Sequence, residues 1–179
     1  MLTPATIGLD IAKNVFQVHG IGSDGKALFR QQLKRGRVLA FFNKLKPCLI
    51  GIEACATSHH WAREIGALGH TIKLMLPKYV KAYVKRQKND AADAVVICEA
   101  VQRPSMRFVP AKSPEQQSGM VLHQTRSVFV RQQTCTINAI RAHLAEFGNV
   151  APLRQQGIDE LCGIIDDRKD QRVPALVRS

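Results

Sequence analysis

Residues 6–12 read TIGLDIA, an apolar run of strand character with one acid, Asp10, set inside it. A second run, CLIGIEAC at 48–55, repeats the arrangement with Glu53 as its only acid. A carboxylate between Leu, Ile and Ala is costly to bury unless it is paired or bound to a metal. How these two strands sit in the fold therefore decides the reading of the whole chain. If they are neighbours in one sheet, Asp10 and Glu53 lie side by side.

Outward from these strands, elements of both kinds follow. VFQVHGIG (15–22) and ALFRQQL (27–33) read as two more strands, with the turn signal SDG at 23–25 between them. The first three strands are expected to form consecutive antiparallel hairpins. GRVLAFFNKLK (36–46) has helical spacing at Val38, Phe41, Phe42 and Leu45 and stops before Pro47. SHHWAREIGALG (58–69) predicts a second helix, capped by Thr57 or Ser58 and closed by Gly69. HTIKLMLP (70–77) is a fifth strand, and residues 78–103 hold a basic cluster followed by a third helix. The order βββαβαβα over residues 1–112 predicts an α/β fold, a mixed sheet with helices packed against it.

Beyond RPSMRFVPAKSP (103–114) the pattern changes. Ile137, Ile140, Leu144 and Phe147 keep a three–four apolar spacing that Val130 extends, while Gln133, Arg126 and His123 interrupt it further back. That predicts a helical, coiled-coil-like segment over 113–179. Its first arm ends at Gly148, and GIDELCGIIDD (157–167) begins a shorter second one.

Charge indicates the partner. The chain carries +12 overall, and residues 1–112 hold 18 Lys and Arg against 7 Asp and Glu. Lys73, Lys78, Lys81, Lys85, Arg86 and Lys88 come with no acid among them, which favours nucleic-acid phosphate over a mixed solvated surface. Lys78, Lys81, Lys85, Arg86 and Lys88 are the candidate phosphate contacts. Tyr79 and Tyr83, one helical turn apart, either stack on bases or pack against the sheet. The five cysteines form no CxxC pair and read as reduced packing residues, and the six histidines form no HExxH pattern. No apolar run approaches the roughly 20 residues of a membrane span, nor does the N-terminus read as a leader, so the expected location is cytoplasmic.

Directly after the basic cluster comes KNDAADA (88–94), where Asp90 and Asp93 are separated by about 300° of helical rotation and so point nearly the same way. A helix cap, or pairing with Lys13 or Lys88, would explain any one acid locally. Asp10, Glu53, Asp90 and Asp93 together make a set of hard oxygen donors suited to Mg²⁺ or Mn²⁺. Two such ions roughly 3.5–4 Å apart would serve phosphodiester chemistry.

GLDIAK (8–13), GIEACATS (51–58), KNDAADA, RFVP (107–110) and NAIRAHLAEFG (138–148) occur in an order that resembles the N-terminal half of the DEDD insertion-sequence transposases, spoken of as IS one-ten. Members of that family act as bridge-RNA-guided recombinases. The resemblance covers about the first 150 residues. It implies a RuvC-like, RNase H-like fold in which Asp10, Glu53, Asp90 and Asp93 are the catalytic, metal-binding acids. It also implies DNA and a structured guide RNA as partners, a homo-oligomer built through the helical segment, and no membrane. The family places a nucleophilic serine in a later transposase domain, before which the chain is expected to be truncated. Ser113, Ser118, Ser127 and Ser179 have no matching context. Two other readings stand beside this one. IGLDIAKN also resembles the first phosphate loop of actin-like and sugar-kinase ATPases, though no later Gly-rich adenosine loop follows. A non-catalytic nucleic-acid-binding or dimerisation fragment would keep the acids without using them.

Overall fold

The computed structural model describes residues 3–80 and 90–178, apart from the side chains of 90–92 and 177–178. The chain divides into two compact units, residues 1–115 and 116–179.

The first unit is built on a six-stranded sheet in the order β3-β2-β1-β4-β5-β6. Its strands are β1 (Thr6–Ile11), β2 (Val15–Ile21), β3 (Ala27–Lys34), β4 (Leu49–Glu53), β5 (Thr71–Met75) and β6 (Phe108–Val109). β1, β2 and β3 pair antiparallel as expected, while β4 and β5 run parallel to β1. The sheet is therefore mixed, as the order of strands and helices led one to expect. The β2–β3 turn needs Gly25, whose φ of 75° is the left-handed region that Gly enters without penalty.

Period-two alternation assigns the two faces. Ile7, Leu9, Phe16, Val18, Ile50 and Ile52 lie on one face with Val38 and Phe42 of α1 (Val38–Phe42) and Trp61, Ala62 and Ile65 of α2 (Ser58–Gly66). Phe16 and Trp61 meet edge to face at 5.0 Å. Each fully buried aliphatic side chain here contributes about 1.5–3 kcal/mol. His70 ties the layer together, its Nε2 lying 3.1 Å from the Phe42 carbonyl while Nδ1 accepts the Cys48 amide at 3.3 Å. α3 (Pro77–Val80) and α4 (Asp90–Ala100) belong to the opposite side, where Val80, Val96, Ile97 and Val101 pack with Met75.

Two local expectations are corrected. Thr57 occupies the N-cap of α2 without a side-chain cap bond. The Ser58 hydroxyl closes the preceding turn instead, accepting from the Cys55 amide and donating to the Cys55 carbonyl. RFVP, within the 103–114 stretch to which no element was assigned, supplies the sixth strand, with Phe108 opposite Met75 and Val109 opposite Leu74.

The second unit contains most of α5 (Pro114–Ala145), then α6 (Gln155–Asp166). Ile158, Leu161 and Ile164 of α6 pack on Ile137, Ile140 and Leu144 of α5, so these three of the spaced apolar residues line a helix–helix contact, while Phe147 and Val130 of the same spacing are exposed. Arg141 holds the connection by donating to the carbonyls of Ala151, Pro152 and Arg154. Earlier along α5, Met120, Leu122, Phe129 and Val130 are exposed. Among the described residues no helix is long and apolar enough to cross a membrane.

Candidate functional site at the ends of β1 and β4

β1 and β4 pair in parallel with Gly8 opposite Gly51 and Leu9 opposite Ile52. The next residues along each strand are Asp10 and Glu53, both half-buried. Alternation places them on the face of Gly8 and Gly51, away from the Leu9 and Ile52 core. Two acids about 43 positions apart in the chain thus end adjacent strands on one face.

That face carries α4, and glycine is what lets it approach. A Cβ on Gly8 would collide with the Ala94 carbonyl and lie 2.6 Å from the Cys98 amide nitrogen. A Cβ on Gly51 would lie 2.7 Å from the Val101 side chain. The Cys98 thiol lies 3.8 Å from the Thr6 carbonyl, so Cys98 sits over residues 6 to 8 and Ala94 over residue 8. Earlier residues of the helix therefore lie toward later residues of β1. Asp93, half-buried, immediately precedes Ala94 in the described span Asp90–Ala100. Asp93 therefore lies from Ala94 toward the later residues of β1, the direction in which Asp10 follows Gly8. The Asp90 side chain is outside the described residues, and among the described residues no three His, Cys, Asp or Glu side chains are grouped to hold a metal ion.

The basic candidates fare differently. Lys78 is exposed on α3, its Nζ 4.8 Å from the Tyr79 ring centroid. Tyr79 packs against the cluster around Met75 and Ile97, which resolves its two readings in favour of packing. Lys81, Lys85, Arg86, Lys88 and Tyr83 lie outside the described residues.

One polar neighbour of the acids was missed from sequence. Gln17 of β2 lies directly opposite Asp10 and is only 9% exposed. In sequence it alternates with Phe16 and Val18 and reads as the polar side of a half-buried strand, so only the helix packed on that face marks it. Two residues on, His19 is also buried, and its Nδ1 has no hydrogen-bond partner among the described residues. Burial, then the Arg30 charge, hold its pKa below the ordinary histidine value, with Glu99 opposing. The Cys98 thiol is pushed up to about 11, chiefly by burial, and so stays protonated.

A family model described as Transposase, of the DEDD IS110 type, matches residues 7–149. The chain is 53% identical over 148 residues to the "Probable family 20 transposase" of Pseudomonas aeruginosa, covering 83% of this chain and 44% of that one. It is 38% identical over 172 residues to the "Transposase for insertion sequence element IS1328" of Yersinia enterocolitica, covering 96% and 51%. The chain thus spans about half the length of the curated relatives it matches. Among solved structures it is similar to "T. thermophilus RuvC in complex with Holliday junction substrate", at 12% identity and a TM-score of 0.42, over 58% of this chain and 98% of that one.

Proposed function

From the premise that this chain belongs to the DEDD transposase family of IS110 type, we propose that its first unit is the catalytic half of a metal-dependent DNA strand-cleaving or strand-transferring enzyme. The observation carrying the proposal is the parallel register of β1 and β4, which leads to Asp10 and Glu53 as the next residues on neighbouring strands. Asp93 and Asp90, three residues apart on α4, would complete the set.

The donors fit the group the family implies. All four are carboxylates, which suit Mg²⁺ or Mn²⁺, while thiol and imidazole ligands would point elsewhere. Bound there, divalent ions would activate an attacking oxygen and stabilise the leaving oxygen of a phosphodiester. The task of the chain is to hold the acids in place. The strands fix Asp10 and Glu53 through backbone pairing, and the glycine-floored contact fixes the approach of α4.

Residues 1–112 serve catalysis in this reading, and 113–179 serve assembly. Lys78, Lys81, Lys85, Arg86 and Lys88 would contact DNA or guide-RNA phosphates. The exposed apolar residues of α5, Met120, Leu122, Phe129 and Val130, would pair with a second copy.

Calorimetric titration of Mn²⁺ into the chain tests the site. We expect saturable binding that Asp10→Ala and Glu53→Ala each abolish or weaken by more than tenfold. Equal affinity in wild type and both variants would overturn the assignment.

A further inference from the structure

A second set of polar groups stands on the other side of the sheet from α4, where α2 packs. His59 Nδ1 accepts the backbone N–H of Lys112 at 3.1 Å, and Arg63 Nη1 donates to the Lys112 carbonyl at 2.7 Å. Both bonds pin the backbone of one residue, through its N–H and its C=O, which accounts for Arg63 and for one nitrogen of His59. They do not account for the other nitrogen. With Nδ1 accepting, the proton of the neutral ring is on Nε2. Nε2 lies 3.1 Å from Lys112 Nζ, and an ammonium has three donors and no acceptor. Two N–H donors therefore face each other across hydrogen-bonding distance, an arrangement that an acceptor set between them relieves.

We propose that His59, Lys112 and Arg63 form a phosphate-oxygen site that holds the backbone of a nucleic acid beside α2, separate from the 78–88 stretch. An anionic oxygen seated against Nε2–H and Nζ takes a charge-assisted hydrogen bond from each, with Arg63 as the nearby second cation. Burial, then Lys112 and then Arg63, lower the His59 pKa, so the ring stays a neutral donor until an anion arrives. Of the neighbouring acids, Glu64 is 4.0 Å from His60, and Glu115 interacts with Arg63 and accepts from Ser113. Nucleic acid is favoured over a free anion because residues 1–112 hold 18 basic against 7 acidic groups, an excess matched to a polyanion. Within the proposed function, this adds a contact on a face that the acid site does not use.

The test has two arms, both on the whole chain. Binding of a labelled duplex oligonucleotide is followed by fluorescence anisotropy over a range of salt. Histidine ring resonances are followed by nitrogen-15 NMR as the duplex, or inorganic phosphate alone, is added. Lys112→Gln is expected to reduce the slope of log affinity against log salt by about 0.9, with Lys112→Arg close to wild type. The His59 Nε2 resonance is expected to move with the duplex in wild type and to stay in place in Lys112→Gln. Unchanged slopes together with an unmoved His59 resonance would overturn the site. Movement with inorganic phosphate but not with the duplex would overturn the nucleic-acid assignment. Mn²⁺ titration of the same variants reads the acid site independently, so either assignment can fail without the other.

Discussion

Gln17 lies directly opposite Asp10 in the antiparallel β1–β2 pair, on the face of the sheet that carries α4. Opposed residues of such a pair hold their Cβ atoms about 4.5–5.5 Å apart, within reach for an amide to steady a carboxylate. Polar groups that orient a metal ligand typically contribute 10–100-fold in affinity. Gln17→Leu should therefore weaken Mn²⁺ binding by about tenfold while leaving the melting temperature of the metal-free chain near wild type. Unaltered Mn²⁺ affinity would remove Gln17 from the site.

The helical half of the acid set can be probed through stability. A ligand that binds only the folded chain stabilises it by about 2.7 kcal/mol at a hundredfold excess over its dissociation constant. Mn²⁺ should raise the melting temperature of wild type, and Asp93→Asn should lose most of that rise. A full rise in the variant would place Asp93 outside the site.

Gly8 lies against the backbone of α4, and Gly51 against the side chain of Val101 just past the helix. Gly8→Ala should be the more damaging, because its new methyl meets the Ala94 carbonyl and the Cys98 amide, which cannot rotate away. We expect a loss of about 2–3 kcal/mol in urea unfolding. Gly51→Ala meets the Val101 side chain, which can shift, and should cost less.

Arg154 precedes α6 with φ 88° and ψ 178°, backbone that is ordinarily reserved for Gly. Arg154→Gly should stabilise the second unit by about 1–2 kcal/mol. Arg141→Ala, which removes the donor to three carbonyls of the same turn, should destabilise it by about 2 kcal/mol. Chemical denaturation followed through the helical signal separates the two effects by sign.

His19 predicts an acid sensitivity. Burial and the Arg30 charge hold its folded pKa below the ordinary histidine value of 6.5, so the unfolded chain binds a proton first as pH falls. Stability is then full above about pH 6.5 and declines below it, by at most about 1.4 kcal/mol per pH unit from this residue. His59, lowered in the same direction, adds to the decline. His19→Leu should flatten the fall in melting temperature between neutral and mildly acidic buffer. An identical pH profile in the variant would show that His19 does not carry the effect.

Much of this architecture was legible because its signals are local. Asp10 and Glu53 stood out as single acids in apolar strands, and the β-rich start followed by alternating strands and helices gave the sheet its class. What escaped notice depends on partners distant in sequence. β6 is two residues long and takes its strand character from pairing with β5, not from any pattern of its own. Gln17 and His19 alternate with Phe16 and Val18, so VFQVH reads as an ordinary half-buried strand until the helix on its other face is known. Gly8 and Gly51 gave no hint of their role, since close approach belongs to the helix that fills the space.

The parallel pairing of β1 with β4 has a consequence for the life of the chain. Between those strands lie the β2–β3 hairpin and α1, so the two acids meet only after that intervening piece has been laid down and closed. A nascent or half-denatured copy would carry both acids and still lack the strand pairing that sets them on neighbouring strands.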